Sequence, residues 1–112
     1  KMSAGTYNFT IEQGTTFSRV LTLQENGSAM NLTGYSVASQ MRSTHDSSSI
    51  AATITGTVSN ASSGQITLSL TNTQTSAIEE AIYVYDVEIT SGAGAVTRIL
   101  QGNVTVTPEV TR

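Results

Sequence analysis

Ala81–Thr107 reads AIYVYDVEIT, SGAGA, VTRILQGNVTVT, two alternating apolar runs joined by five residues that are only Ser, Gly and Ala. Small, flexible residues between alternating runs mark a β-hairpin, because period-two alternation places every second side chain on one sheet face. With Thr90 opposite Val96, Ile89 faces Thr97, Glu88 faces Arg98, Val87 faces Ile99 and Tyr85 faces Gln101. Val87 and Ile99 then share one face, and the Glu88–Arg98 pair takes the other. A slip of one residue would break both pairings, so the register is specified. Pro108 ends the second strand, since it has no N–H for a ladder. Gly102, inside that strand, predicts a bulge or a close backbone approach.

The rest of the chain repeats this grammar. Tyr7, Phe9 and Ile11 alternate and predict a strand over residues 6–12, with a break at Gln13–Gly14. Phe17, Arg19, Leu21 and Leu23 form one face of a second strand, with Val20 on the other. Glu25-Asn26-Gly27-Ser28 is a turn, because Asn-Gly readily adopts positive φ. Leu32 and Tyr35 belong to a connector that plugs the sandwich edge. Val37, Ser39 and Met41 point inward along a strand over 35–43, with Gln40 and Arg42 outward. Ser43–Ser49 is a polar loop. Ile50, Ala52, Ile54 and Val58 mark another strand, Asn60–Gly64 a turn, and Ile66, Leu68 and Leu70 a further strand. Thr71–Glu80 is the one non-β stretch: Thr71 or Asn72 caps a short helical turn near 72–79 and Ile78 anchors it.

About seven strands with turn signals every 8 to 12 residues outline an all-β, immunoglobulin-like antiparallel β-sandwich. The Cys–Trp–Cys core of antibody domains is absent, as the chain has neither Cys nor Trp. The 112 residues make one domain with a single core. Lys1 precedes Met2, which reads as the natural start, leaving Lys1 as a cloning remnant. The residues after Met2 have no apolar signal-peptide core, so the protein is expected to be made and kept in a cytoplasm, or packaged from one.

Composition narrows the function. Ser and Thr supply 34 of the 112 residues, with Thr alternating among Val, Ile and Leu as it does on half-buried sheet. Only 12% of residues are charged, the net charge is -3, and the five basic residues are scattered. That argues against a nucleic-acid surface. No apolar run approaches the roughly 20 residues of a membrane-crossing helix. Without Cys there are neither disulfides nor thiolate metal sites.

Candidate chemistry is sparse. His45 beside Asp46 is half a metal site at most, because the loop around it offers Ser and Thr where further ligands are needed. No cofactor or metal site is expected, and no Ser lies in a G-x-S-x-G elbow with a base to serve it. Asp86 and Glu88 share a strand face in the manner of a glycosidase carboxylate pair. An exposed cross-strand ion pair of Glu88 with Arg98, worth about 0.2–1 kcal/mol, explains Glu88 more simply. The loop Ser91–Ala95 lacks the Lys and helix of a phosphate loop, though its tip could enter a partner's groove. Asn8, Asn26, Asn31, Asn60 and Asn103 match the N-glycosylation tripeptide, as a Ser/Thr-rich chain does by chance. Tyr83 and Tyr85 share parity with Val87 and are expected in the core with hydroxyls at the rim. The sharper alternative is a tyrosine surface that stacks on a sugar ring.

Three stretches carry a resemblance: Phe9–Leu23 (FTIEQGTTFSRVLTL), Asn31–Arg42 (NLTGYSVASQMR) and Tyr83–Thr111 (YVYDVEITSGAGAVTRILQGNVTVTPEVT). They resemble small immunoglobulin-like proteins of tailed bacteriophages and prophages, and are similar to the N-terminal domain of phage baseplate upper proteins. The resemblance implies a non-enzymatic virion or accessory protein that docks other virion subunits or its own copies; the alternative reading is a carbohydrate-binding module that assists attachment to a host surface. The first strand, including Tyr7 and Phe9, and the loop bearing His45 and Asp46 are the expected partner contacts.

Overall fold

The structure, a computed structural model, describes residues 5–111; the reading of Lys1 and Met2 lies outside them. Ten strands and one short helix follow in order: β1 (Gly5–Thr6), β2 (Phe9–Glu12), β3 (Phe17–Thr22), β4 (Gln24–Glu25), β5 (Ser28–Ala29), β6 (Ser36–Arg42), β7 (Ala52–Asn60), β8 (Gln65–Leu70), α1 (Asn72–Ser76), β9 (Ala81–Thr90) and β10 (Val96–Thr107). The fold is all-β and sandwich-like. Seven strands become ten because the 6–12 strand breaks at Tyr7–Asn8 and a two-strand ribbon, β4–β5, is added. That ribbon turns through Asn26 at φ 54° and Gly27 at φ 80°, two positive values in succession as a type I′ turn requires.

One layer runs β10–β9–β6, with β1 and β2 both paired to β10; the other runs β7–β8–β3. Strand β7 joins them. Its Ala52–Ile54 pairs with β6, and its Thr55–Asn60 pairs with β8. The expectation of a wholly antiparallel sandwich needs one correction, since β1 and β2 run parallel to β10.

Alternation does the work of burial. In β8, Ile66, Leu68 and Leu70 are buried, and in β9 Tyr83, Tyr85, Val87 and Ile89 are. These side chains meet Phe9, Phe17, Met41, Ile54 and Val104 in a single cluster. Removing each from water contributes roughly 1.5–3 kcal/mol. Rings join strands within and between the layers: Phe9 stacks across on Phe17 at 5.0 Å and meets Tyr85 of its own layer edge-on at 4.8 Å.

The α1 turn is fastened at both ends. Thr71 and Gln74 form a capping box, each side chain accepting the other's backbone N–H. Thr75, fully buried, accepts from the Gly14 N–H at 3.1 Å and donates to the Thr15 carbonyl at 2.8 Å. Those two bonds tie the helix to the turn that launches β3.

The deciding hairpin keeps its predicted register for three pairs, Thr90 with Val96, Ile89 with Thr97 and Glu88 with Arg98. A bulge then intervenes between Arg98 and Leu100, so Val87 faces Leu100, not Ile99, and Tyr85 faces Gly102, not Gln101. Parity explains it. Ile99 and Val104 are both buried, yet one is odd-numbered and the other even, and a regular strand cannot turn both to the same face. Gly102 is the close approach: a Cβ there would collide with the Tyr7 carbonyl oxygen. The N-terminal segment crosses β10 at this point, held by Tyr7 N–H to the Gln101 carbonyl at 3.0 Å and Asn103 N–H to Asn8 Oδ1 at 2.8 Å.

Candidate interaction surface

The bulge in β10 shapes the outer face of β10, β9 and β6. In an unbroken strand Arg98 and Leu100 would share the outer face. The extra residue turns Leu100 toward the core cluster, opposite Val87, and brings Gln101 opposite Asp86. Three strands therefore align their outward side chains in rows. Ala38, Glu88 and Arg98 form one row, and Gln40, Asp86 and Gln101 the next. Ala38 offers only a methyl group opposite Glu88, which leaves a depression. Together with Arg42, Val84 and His45 these residues line an open groove of about 440 Å³.

Most of the groove's charge is already engaged. Arg98 Nε lies 3.3 Å from Asp86 Oδ2, with both side chains well exposed to solvent. The ion pair expected between Glu88 and Arg98 is therefore replaced: the two residues stand opposite in the ladder, but the guanidinium reaches diagonally to Asp86. Solvent screening keeps such a pair weak. Arg42 donates to the Ser47 carbonyl at 3.0 Å and to Gln40 Oε1 at 3.0 Å. It thereby anchors the Ser43–Ser49 loop and sets exposed His45 at the groove rim. Ser39, buried beneath, donates to the Asp86 carbonyl at 2.7 Å and fixes the floor.

The other expected contacts fare unevenly. Phe9 is only 7% exposed and belongs to the core, so it cannot meet a partner; its alternation with Ile11 is a core pattern. Tyr7 is half-buried, its ring 5.9 Å from that of Phe9. Asp46 is exposed on the loop beside His45 but does not line the groove. Among the described residues no three of His, Asp or Glu gather where a metal could bind, and no helix is long and apolar enough to cross a membrane.

Tyr83 and Tyr85 are buried, as their parity with Val87 requires, and each hydroxyl finds a carbonyl: Tyr83 donates to Glu79 at 2.6 Å and Tyr85 to Tyr7 at 2.6 Å. Burial, with Tyr7 nearby, pushes the Tyr85 hydroxyl up to about 12. Burial and the charge of Glu79 raise Tyr83 as well. A sugar-stacking platform would have to do without both rings.

No family model matches this chain, and neither does any curated protein. Among solved structures it is similar to a Listeria monocytogenes internalin-like protein, lmo2027, at 17% identity and a TM-score of 0.48. That match covers 89% of this chain and 27% of the internalin-like protein.

Proposed function

We propose that this domain is a non-enzymatic docking module of a phage virion, and that the groove on the outer face of β10, β9 and β6 is where another virion subunit sits. The observation that carries the reading is the bulge-built groove itself, a concave sheet face that presents both charge signs and three amide or imidazole side chains. Such a face suits a polar protein surface, where opposed charges give orientation and partner choice more than raw affinity. Asp86 and Arg42 are engaged within the groove by Arg98, Gln40 and the Ser47 carbonyl, which favours a recognition role for these groups over proton transfer. The phage context comes from the resemblance of the three sequence stretches.

Cosedimentation tests it. Tagged domain, mixed with tailed-phage particles from the source strain that lack their own copy, is expected to travel with the particles through a density gradient. Arg98→Glu, which reverses one groove charge and melts like wild type, is expected to stay behind. Wild type remaining at the top of the gradient, or both proteins travelling equally, would overturn the reading.

A further inference from the structure

Strand β3 lies at the end of the second layer. It pairs with β8 on one side, and among the described residues no strand pairs with it on the other. The ladder bond from Leu23 N–H to the Gly64 carbonyl sets the parity of that pairing. Antiparallel ladders alternate residues bonded to the neighbour with residues directed away. The N–H and C=O groups of Ser18, Val20 and Thr22 therefore point to the open edge. Three donors and three acceptors stand in a row there, and the Val20 side chain is 58% exposed.

Arg19 sits in the middle of this edge. It shares the inward face with Phe17, Leu21 and Leu23, opposite buried Leu68. Its guanidinium carbon lies 5.3 Å from the centroid of the Phe17 ring. Its Nε is buried and has no hydrogen-bond partner. Sheltered donors of that kind cost free energy unless an acceptor is supplied, more so when charged. The side chain as a whole is partly exposed, so an acceptor can approach from the open edge. An inward charge on an edge strand also repels indiscriminate strand pairing. An incoming strand with an apolar residue beside Arg19 would bury the cation unpaired, whereas a carboxylate there would complete it.

We infer that β3 is a strand-addition site for an extended acidic segment of a partner protein, with one carboxylate of that segment paired to Arg19 and small apolar residues flanking it beside Phe17 and Leu21. Main-chain bonds to Ser18, Val20 and Thr22 supply affinity, and Arg19 supplies selectivity. The chain's net charge of -3 disfavours further acidic segments elsewhere, so the lone cation of this layer is the feature that admits one. The site lies on the other layer from the groove and does not depend on it.

A capped peptide, Thr-Val-Thr-Glu-Thr-Val-Thr, reproduces that segment, since its Val, Glu and Val share one face. Titrated into ¹⁵N-labelled protein, it is expected to shift and protect the amides of Ser18, Val20 and Thr22. The same peptide with Gln in place of Glu is expected to bind at least about tenfold more weakly, the size of one charge-assisted hydrogen bond. Arg19→Met should erase that difference, and Val20→Pro, which removes an edge-facing N–H, should abolish both interactions. Three results would overturn the inference: shifts confined to other residues or absent at millimolar peptide, equal affinity for the Glu and Gln peptides, or concentration-dependent shifts of the same amides without peptide. The last would assign the edge to a second copy of this chain.

Discussion

The two layers of this sandwich use nearly the same alternation yet present opposite characters. In the β10–β9–β6 layer the free side of β10 is covered by the two short strands β1 and β2, which then form the edge themselves, and the outer face carries Arg42, Asp86, Glu88 and Arg98. In the other layer, the second-layer part of β7 together with β8 and β3 contains a single charged residue, Arg19, and it faces inward. That outer face is mostly Ser and Thr, with Val20, Gln65 and Asn60 and no charge, and its β3 edge is open. Average composition conceals this division. The lesson is that edges and faces are specified by individual breaks in the pattern, a bulge, a glycine or an inward charge, and not by the apolar alternation that both layers share.

The largest effect should come from cutting the ring contacts within and between the layers. Phe9→Ala removes a ring that touches both Phe17 and Tyr85 and is expected to cost about 3–5 kcal/mol in urea unfolding. Next is the covered edge. Gly102→Val drives a Cβ into the Tyr7 carbonyl and should cost about 1–3 kcal/mol, with hydrogen-exchange protection lost first at β1 and β2.

Tyr85→Phe, which strips one hydroxyl from the Tyr7 carbonyl, should cost about 1 kcal/mol at neutral pH. It also has a pH signature. Folding raises this hydroxyl from 10.0 to about 12, so the folded protein keeps a proton that the unfolded chain releases. The resulting stability is complete below pH 10 and lost as pH rises from about 10 toward about 12. The variant's stability curve should be flatter across that window. The smallest effect belongs to the open edge. Val20→Pro should change stability by no more than about 0.5 kcal/mol, because the amide it removes bonds nothing in β8. A large loss there would erase the contrast between the edges.

Much of the fold was legible because burial follows period two so cleanly. Ile66, Leu68 and Leu70, or Tyr83 through Ile89, need no tertiary knowledge to be placed inside. Asn26–Gly27, the Thr71 cap and the Pro108 stop were legible for local reasons of backbone geometry. The site was less so. An ion pair of Arg98 with Glu88 presumes an unbroken ladder, whereas the odd-to-even change between Ile99 and Val104 demands an extra residue. Assigning irregularity to Gly102 alone hid the step that puts Gln101 beside Asp86. Phe9 lies on an edge strand, whose backbone faces outward, but its odd-numbered side chains, Phe9 and Ile11, are core, and nothing local in the sequence separates the two. Pairing of β1 and β2 parallel to β10, and the Thr75 tie to Gly14 and Thr15, join residues tens of positions apart and leave no local trace.

If the groove face, and not the face of β7, β8 and β3, meets a virion partner, crosslinking from the two faces must differ. A photo-crosslinking amino acid at position 88, in the groove, and in a second protein at position 57, on the outer face of β7, tests it most directly in phage-producing cells. A covalent adduct with a virion subunit is expected from position 88, diminished by Arg98→Glu, and none from position 57. Equal adducts from both positions, or adducts from position 57 alone, would contradict it.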